Sequence, residues 1–293
     1  MEVAPTAAVA VAPSRAADFL ELTKPRITAL VLVTAAVGYA VGGRGFSPFA
    51  FLVFLAGTAL VCSGASALNQ YAEREADARM VRTSRRPIPA GRLRPEDALA
   101  FGLTVSAVGL VLLAAVNPLT LALGAVSLLL YVLAYTPLKR VTSLCTVVGA
   151  VPGALPPLMG WAAARGTLGA AGWGLFSILF LWQLPHFLAI GWLYREDYAR
   201  GGFPMLAVTD SDGASSGRQS LLYATALLPV TLLSGILAGA GKGYLWGALL
   251  LGVGFLVCAG LFAWKRSIPA ARTLFLASVL YLPVLLGLLV FDR

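Results

Sequence analysis

Three oxygen-bearing side chains recur at four-residue intervals where an apolar segment ends: Asn69, Glu73 and Asp77. On a continuous helix this spacing places them on one face. Carboxylate and amide oxygens suit a hard cation such as Mg²⁺, and the arginines that follow suit a diphosphate. A solvated helix end is the alternative, but carboxylates at the edge of an apolar bundle are costly unless they pair or bind a cation. The spacing therefore predicts a site for Mg²⁺ and a diphosphate.

A second acidic pair, Glu196 and Asp197, closes a later apolar segment. It would allow two metal ions to share one diphosphate. Asp210 and Asp212 follow in a loop rich in Ser and Gly, where we expect them to be solvated rather than to bind metal. The second metal site is therefore predicted at Asp197, with Glu196 beside it.

Basic residues near other segment ends are candidates for binding the leaving diphosphate. Lys139 lies four residues after Tyr135, so the two share a helix face, and both are predicted to bind substrate. A cation there would stabilise negative charge on a leaving group, although it also fits the general excess of Lys and Arg in cytoplasmic loops. Lys24 and Arg26 flank Pro25 at the start of the first apolar segment, where helix initiation and topology are equally good explanations.

His186 is the single histidine of the chain, and it lies inside an apolar segment three residues after Gln183. Polar side chains at membrane depth indicate a functional site by default. We place both on one helical face. Substrate contact, haem ligation and packing all remain open for His186.

Composition identifies the class of protein. Hydrophobic residues make up 59% of the 293 residues, and charged residues only 12%. Soluble domains have about a quarter charged residues, so this is a polytopic membrane protein. The net charge of +9 does not indicate nucleic-acid binding, because the basic residues lie in loops without interleaved aromatic residues.

Nine apolar segments predict an all-α bundle of nine transmembrane helices. Each is about long enough to cross a ~30 Å hydrocarbon core. They run approximately over 27–43, 48–70, 97–116, 118–136, 143–163, 170–193, 219–239, 243–264 and 271–291. Most Lys and Arg residues lie in alternate connections, which places the N-terminus and the long polar loops in the cytoplasm and the C-terminus in the periplasm.

The ends of the chain and its cysteines suggest no further processing. Residues 1–20 are rich in Ala and Pro and are predicted to form a disordered cytoplasmic tail, with residues 21–293 as the membrane domain. No signal peptide or organellar transit peptide is recognised, so we expect the bacterial inner membrane. Cys62, Cys145 and Cys258 have no paired spacing and are expected to be free, buried residues.

Several motifs in order resemble the intramembrane prenyltransferases, over about residues 20–290. The resemblance is closest to the branch of that family that modifies haem. The motifs are Leu22-Thr23-Lys24-Pro25-Arg26, the run from Asn69 to Pro87, Tyr135-Thr136-Pro137-Leu138-Lys139-Arg140, Trp182-Gln183-Leu184-Pro185-His186-Phe187 and the run from Asp197 to Leu206.

The resemblance implies a reaction and a set of site residues. It implies transfer of a farnesyl group from farnesyl diphosphate to a vinyl group of haem B with addition of water, Mg²⁺ as cofactor, and an active-site cavity that opens at the cytoplasmic face. Haem is a substrate here and not a prosthetic group. The residues it assigns to metal are Asn69, Glu73, Asp77 and Asp197, those it assigns to the diphosphate are Arg26, Arg82, Arg86 and Lys139, and those near the acceptor are Gln183 and His186.

The second acidic motif departs from the wider family, where two acids lie four residues apart, because Gly201 follows Asp197 at that distance. The sequence is also compatible with two other functions: a prenyltransferase for a quinone precursor or another aromatic acceptor, and a membrane transporter. Transporter sites usually lie near the midplane of the membrane, whereas these acids cluster at one face. Association with a haem A synthase or an oxidase assembly would fit a haem-modifying enzyme, but no residue identifies such a partner.

Overall fold

The protein is an all-helical bundle in a computed structural model that describes residues 14–43 and 47–293, and these residues contain no strand. The helices are α1 (Arg15–Leu22), α2 (Pro25–Gly42), α3 (Pro48–Arg79), α4 (Pro95–Val116), α5 (Pro118–Leu129), a π-helix (Leu130–Tyr135), α6 (Thr136–Leu138), α7 (Cys145–Arg165), α8 (Ala170–Leu193), α9 (Arg195–Gly201), α10 (Leu206–Thr209), α11 (Ala214–Ala238), α12 (Lys242–Lys265) and α13 (Ile268–Phe291).

Nine helical spans within the described residues are long and apolar enough to cross a membrane, counting Pro118–Leu138 as one continuous span. The predicted number is confirmed, and the boundaries shift by a few residues at most ends. Large apolar side chains such as Leu30, Leu133 and Leu250 are exposed on the outer surface of the bundle. This arrangement is that of a multi-pass membrane protein, whose outer surface faces lipid tails.

The predicted disordered tail is wrong for residues 15–20, because α1 begins at Arg15, and residues 1–13 lie outside the described part. Ser14 caps the helix by accepting a hydrogen bond from the backbone N–H of Ala17. Asp18 is buried and accepts a hydrogen bond from Arg92 at 2.7 Å. The sequence pattern missed this helix because its stability depends on a distant loop rather than on its own composition.

Small residues bring α2 and α7 into close contact. A Cβ atom at Gly38 would overlap the carbonyl oxygen of Pro157, and one at Gly160 would overlap that of Ala35. Glycines at a helix crossing allow two backbones to approach closely in a membrane. Pro157, one of three prolines inside α7, therefore lies against α2.

The fourth span changes its helical pitch before it ends. Residues Leu130–Tyr135 form a π-helix, and Thr136 follows with its hydroxyl donating to the carbonyl oxygen of Tyr131 at 2.8 Å. Short π-helical segments often occur at functional sites. Here the segment sets the direction in which Tyr135 and Lys139 leave the span.

The acidic residues lie at one end of the bundle, the polar end. Helix α3 has 32 residues, so it extends about 48 Å and continues beyond a ~30 Å hydrocarbon core. A small apolar cluster joins its last turn to the residues around α9 and α10, and the cluster consists of Ala76, Met80, Cys145, Phe203 and Met205. This packing places the two acidic motifs beside each other. All three cysteines are free.

Candidate active site

The first acidic motif lies on one buried face of α3. Asn69, Glu73 and Asp77 have exposed fractions of 2%, 2% and 0%. Glu75, between them in sequence, has a side chain that is 73% exposed. The predicted spacing is thus confirmed as a single inward-facing row of oxygen atoms.

Two cations neutralise the carboxylates of this row. The ammonium group of Lys139 lies 2.8 and 2.9 Å from the two oxygens of Glu73. Arg86 Nη1 lies 2.6 Å from Asp77 Oδ2. Buried carboxylates need such partners, because an unpaired charge is very costly in a medium of low polarity. The resemblance implies that both basic residues bind the diphosphate, and the structure places both against the acidic row.

Lys24 is a further cation of the site, and it approaches Asn69. Its ammonium group donates to Asn69 Oδ1 at 3.3 Å, while the amide nitrogen of Asn69 donates to Thr136 Oγ1 at 3.1 Å. Lys24 has φ +48°, a left-handed conformation that turns its side chain toward α3 immediately before Pro25. Burial, reinforced by the positive charge of Arg86, lowers the pKa of Lys24 from its usual 10.5 to about 8.

Lys139 shows the opposite shift. Burial alone would lower its pKa, but the adjacent Glu73 carboxylate raises it above its usual value. The rings of Tyr135 and Phe203 flank its ammonium group at 5.2 and 5.1 Å. Aromatic faces stabilise a cation in this position. Tyr135, predicted to bind substrate, therefore lies against Lys139, and Phe203 provides a second wall.

Asp197 connects the two acidic motifs. Its two carboxylate oxygens accept the backbone N–H groups of Val81 and Arg82 at 2.9 and 3.2 Å, and Oδ1 also accepts from Arg200 at 2.8 Å. Burial alone would raise the pKa of Asp197, but Arg200 and the two backbone donors lower it below its usual value. This carboxylate remains ionised and fixes the loop that follows α3.

The loop held by Asp197 presents Arg82. The Arg82 guanidinium lies over the rings of Tyr194 and Tyr198, 5.3 and 5.7 Å from their centres. A cavity of about 500 Å³ opens here and is lined by ten residues: Val81, Arg82, Trp192, Leu193, Tyr194, Arg195, Glu196, Asp197, Arg200 and Ile268. Glu73 and Asp77 do not line it, so the cavity lies beside the buried acidic row.

Two predicted residues lie outside the buried acidic row, although Glu196 lines the cavity beside that row. Arg26 is exposed on the first turn of α2, and Glu196 is exposed on the first turn of α9. Asp210 is also engaged elsewhere, since it accepts the backbone N–H of Ser216 at 2.7 Å. The role of Arg26 at the diphosphate and that of Glu196 beside the second metal stay predictions.

Gln183 and His186 lie three residues apart on α8, and their side chains contact different helices. Gln183 donates to the carbonyl oxygen of Ala150 on α7 at 2.8 Å. His186 Nδ1 lies 2.6 Å from Ser278 Oγ on α13. A shared role of the two side chains at the acceptor stays a prediction.

The buried acidic row has a chemistry that suits a divalent cation. Asp77 Oδ1 is buried and has no hydrogen-bond partner within the described residues. No three Asp, Glu, His or Cys side chains in those residues are close enough to hold a metal ion by themselves. A metal ion there would need ligands beyond the carboxylates, such as the Asn69 amide oxygen and the oxygens of a bound phosphate group.

Three contacts of the site are not predictable from the sequence. Lys24 is a sequence candidate for the diphosphate, but its contact with Asn69 depends on a left-handed backbone that composition does not reveal. Thr136 contributes through the π-helix, which leaves no periodic signal. Phe203 belongs to a motif that was recognised, but its contact with Lys139 depends on the fold.

Comparison with known proteins gives a consistent family assignment. The model of the UbiA prenyltransferase family matches residues 31–282. The chain is 47% identical over 287 residues to a protoheme IX farnesyltransferase of Solibacter usitatus, covering 94% of this chain and 98% of that protein. It is 47% identical over 286 residues to a protoheme IX farnesyltransferase of Myxococcus xanthus, covering 96% of each.

Solved structures show the same fold at low sequence identity. A digeranylgeranylglyceryl phosphate synthase aligns with a TM-score of 0.81 at 17% identity, covering 94% of this chain and 98% of that one. A UbiA homolog from Archaeoglobus fulgidus bound to GPP and Mg²⁺ aligns with a TM-score of 0.66 at 13% identity, covering 93% and 99%.

Proposed function

This chain belongs to the UbiA prenyltransferase family, and from that premise we propose that it transfers the farnesyl group of farnesyl diphosphate to a vinyl group of haem B, with addition of water, to give haem O. The relatives named for this activity carry the proposal, since their identity of 47% extends over nearly the whole of each chain. The buried acidic row and its three cations support the same chemistry.

Asn69, Glu73 and Asp77 are the residues that would hold one Mg²⁺ together with oxygens of the diphosphate, and Asp197 would hold a second Mg²⁺ on the same diphosphate. The unpartnered oxygen of Asp77 supports this assignment, as does the oxygen-only character of the row. When bound, the metal would stabilise negative charge on the diphosphate oxygens as the leaving group departs.

The basic residues of the row exchange partners when the substrate binds. In the structure Lys139 and Arg86 hold Glu73 and Asp77. A diphosphate brings several negative charges, so these two side chains and Lys24 can turn to its oxygens without leaving the row. Cations placed in advance where charge develops are an effective source of catalysis in a site screened from water.

The reaction then follows from the chemistry of the two substrates. The bond between the farnesyl C1 carbon and the diphosphate oxygen breaks, and the diphosphate leaves with the electron pair. The terminal carbon of the haem vinyl group bonds to C1, which leaves a cation on the carbon next to the porphyrin ring. Water adds there and loses one proton to solvent, giving a hydroxyl group. The apolar interior of the bundle shields the allylic cation from earlier attack by water.

The location of the site sets the proposed orientation. We place the polar end at the cytoplasmic face of a bacterial inner membrane, with the N-terminus in the cytoplasm and the C-terminus in the periplasm, because the long basic loops lie at that end. Farnesyl diphosphate would reach the site from the cytoplasmic side, with its chain between apolar helices. Association with a haem A synthase or an oxidase assembly fits the product, a substrate for further haem modification.

The test is a reconstituted assay with haem B, farnesyl diphosphate and Mg²⁺, read by liquid chromatography and mass spectrometry. We expect a product heavier by one farnesyl group and one water-derived hydroxyl, with ¹⁸O incorporated when the reaction is run in labelled water. Prenylation of an aromatic acid without any haem product would replace the acceptor and retain the prenyltransferase. Substrate uptake into vesicles without product would favour a transporter instead.

A further inference from the structure

Arg92 lies in the loop of residues 80–94 that connects α3 to α4, the α3–α4 loop, and it holds three acceptors at once. Its Nε donates to Asp18 Oδ1 at 2.7 Å and its Nη2 to Glu21 Oε2 at 2.7 Å, both on α1. Its Nη1 donates to the backbone carbonyl oxygen of Arg85 at 2.8 Å. A planar guanidinium carries its donors in fixed directions, so it holds these acceptors in a defined arrangement. Arg92 therefore fixes α1 against the α3–α4 loop.

The contact with Arg85 limits the freedom of Arg86. The carbonyl group of Arg85 and the backbone N–H of Arg86 belong to one planar peptide unit. Arg92 holds the carbonyl oxygen of this unit, and the Arg86 N–H donates to the carbonyl oxygen of Thr83 at 3.0 Å. Because both polar groups of the peptide are held, the Arg86 side chain starts from a fixed position. It reaches Asp77, the last residue of the acidic row, at 2.6 Å.

The contacts with α1 fix Lys24 in a similar way. The Glu21 side chain binds Arg92, and its backbone carbonyl oxygen accepts the N–H of Lys24 at 3.1 Å. Gln70 of α3 donates to the last backbone carbonyl of α1 at 2.9 Å, which holds the end of that helix. From there the Lys24 ammonium group reaches Asn69, the first residue of the acidic row, at 3.3 Å.

We propose that Arg92 is a positioning residue for the diphosphate: it sets the places of Lys24 and Arg86, the two cations at opposite ends of the acidic row. This inference rests on the proposed function, in which those cations bind the diphosphate. The three hydrogen bonds of Arg92 go to α1 and to the α3–α4 loop, so its effect reaches the diphosphate through the two cations.

The burial of Asp18 makes this arrangement depend on Arg92. The Asp18 side chain is 4% exposed, and a buried carboxylate without a counter-charge is costly. Without Arg92, α1 has to move to bring Asp18 into contact with water. Lys24 follows α1 directly in the chain, so it moves with the helix. The Arg85 carbonyl loses its donor at the same time.

The test uses the full chain purified in detergent, with the binding of inorganic diphosphate in the presence of Mn²⁺ measured by calorimetry. Arg92→Ala should bind diphosphate more weakly than the wild type. It should also lower kcat/KM for farnesyl diphosphate about 10²-fold, as expected for a small displacement of binding groups, and leave the KM for haem B unchanged.

Arg92→Lys is a second variant, which keeps the charge and a partner for Asp18 and should therefore fold. Its ammonium group is a point charge without the planar fork of the guanidinium, so it should weaken diphosphate binding as well. Wild-type affinity for diphosphate in both Arg92→Ala and Arg92→Lys would overturn the proposal.

Combined variants distinguish positioning from a general effect on stability. Changes at residues that act through one another are not additive. In each of the backgrounds Lys24→Met and Arg86→Met, the further loss of diphosphate affinity caused by Arg92→Ala should be smaller than in the wild type. Loss by the same factor in all three backgrounds would show that Arg92 does not act through these cations.

The matched control is Arg15→Ala. Arg15 Nη2 lies 2.8 Å from Asp97 Oδ2, so this pair also joins α1 to a distant segment, the first turn of α4. Its removal should leave diphosphate affinity unchanged. An equal loss in Arg15→Ala and Arg92→Ala would assign the effect to the attachment of α1 in general and overturn the specific role of Arg92.

Failure of this inference differs from failure of the proposed function, because diphosphate binding needs no acceptor. A wild type that makes farnesylated haem, with diphosphate affinity and KM unchanged in both Arg92 variants, would overturn the positioning role and keep the reaction. A wild type whose diphosphate binding depends on Arg92, but which forms no farnesylated haem, would overturn the reaction and keep the positioning role.

Discussion

Lys139 Nζ lies within 2.9 Å of both carboxylate oxygens of Glu73, so one buried cation neutralises the central acid of the row. The Lys139 side chain is 12% exposed and that of Glu73 is 3% exposed. Neither partner is screened by water. Removal of either partner would therefore leave the other buried without a counter-charge, and the pair keeps a cation within reach of the proposed diphosphate position.

Replacing Lys139 should affect stability and turnover together. Lys139→Met leaves the Glu73 carboxylate buried without a partner, and removal of one member of a buried pair costs about 3–5 kcal/mol. Loss of a group that stabilises the leaving charge should lower kcat about 10²–10³-fold. Thermal unfolding in detergent and the haem product assay measure the two effects.

A double variant separates these two contributions. Glu73→Gln combined with Lys139→Met removes both charges, so much of the lost stability should return. Turnover should stay low, because the cation and the metal ligand are both absent. Recovery of turnover in the double variant would show that Lys139 acts only by holding Glu73.

The acidic row should be required for turnover and not for membrane insertion. Asp77→Ala and Glu73→Gln should each abolish detectable product, since both remove a proposed metal ligand. Glu75→Gln is the matched control, because Glu75 lies on the same helix with its side chain 73% exposed. Membrane fractionation should show equal amounts of all three variants, and normal activity of Asp77→Ala would remove the metal site.

The fold was predictable from apolar segments because the membrane imposes their length. A transmembrane helix needs about 20 apolar residues whatever it packs against, so each span leaves its own signal in the sequence. Helix α1 leaves no such signal, because its position depends on the pairing of Asp18 with Arg92 across the chain. The π-helix before Thr136 is equally unpredictable, since its residues have the same pattern as an ordinary apolar α-helix.

Contacts of the site that depend on helical spacing were predictable from the sequence. Contacts that depend on a change in backbone direction were not. Glu73 and Asp77 share a face because a helix has a fixed period. Lys24 reaches Asn69 only through a left-handed residue before a proline, which periodicity does not reveal. Gln183 and His186 are close in sequence, but the sequence does not reveal that Gln183 contacts α7 and His186 contacts α13.

Lys24 should produce a pH dependence of substrate binding. Burial beside Arg86 lowers its pKa to about 8, so its positive charge is present below that pH and lost above it. The KM for farnesyl diphosphate should therefore rise as the pH increases through about 8. Lys24→Arg keeps its charge throughout this range, so its KM should not rise there. The same rise in both proteins would assign the titration to another group.

Metal binding should depend on diphosphate. No three Asp, Glu, His or Cys side chains in the described residues form a metal site by themselves, so phosphate oxygens should complete the coordination. Mn²⁺, followed by EPR as a probe, should bind weakly alone and more tightly when inorganic diphosphate is added. By linkage, Mn²⁺ should increase diphosphate affinity by the same factor. Equal Mn²⁺ affinity with and without diphosphate would contradict the shared site, and chelation of Mg²⁺ should stop turnover.

The close crossing of α2 and α7 should tolerate no added methyl group. Gly38→Ala would place a Cβ atom against the Pro157 carbonyl oxygen, and neither backbone can move without opening the bundle. We expect a lower unfolding temperature in detergent and reduced turnover, because α2 follows directly from Lys24 and α7 follows the segment that carries Lys139. Gly254→Ala on α12 is the control, since a Cβ atom there meets no atom within 4 Å. Alanine at that position should match or exceed wild-type stability, as it restricts the unfolded chain. If both variants unfold at the same temperature as the wild type, the crossing is more adaptable than its geometry indicates.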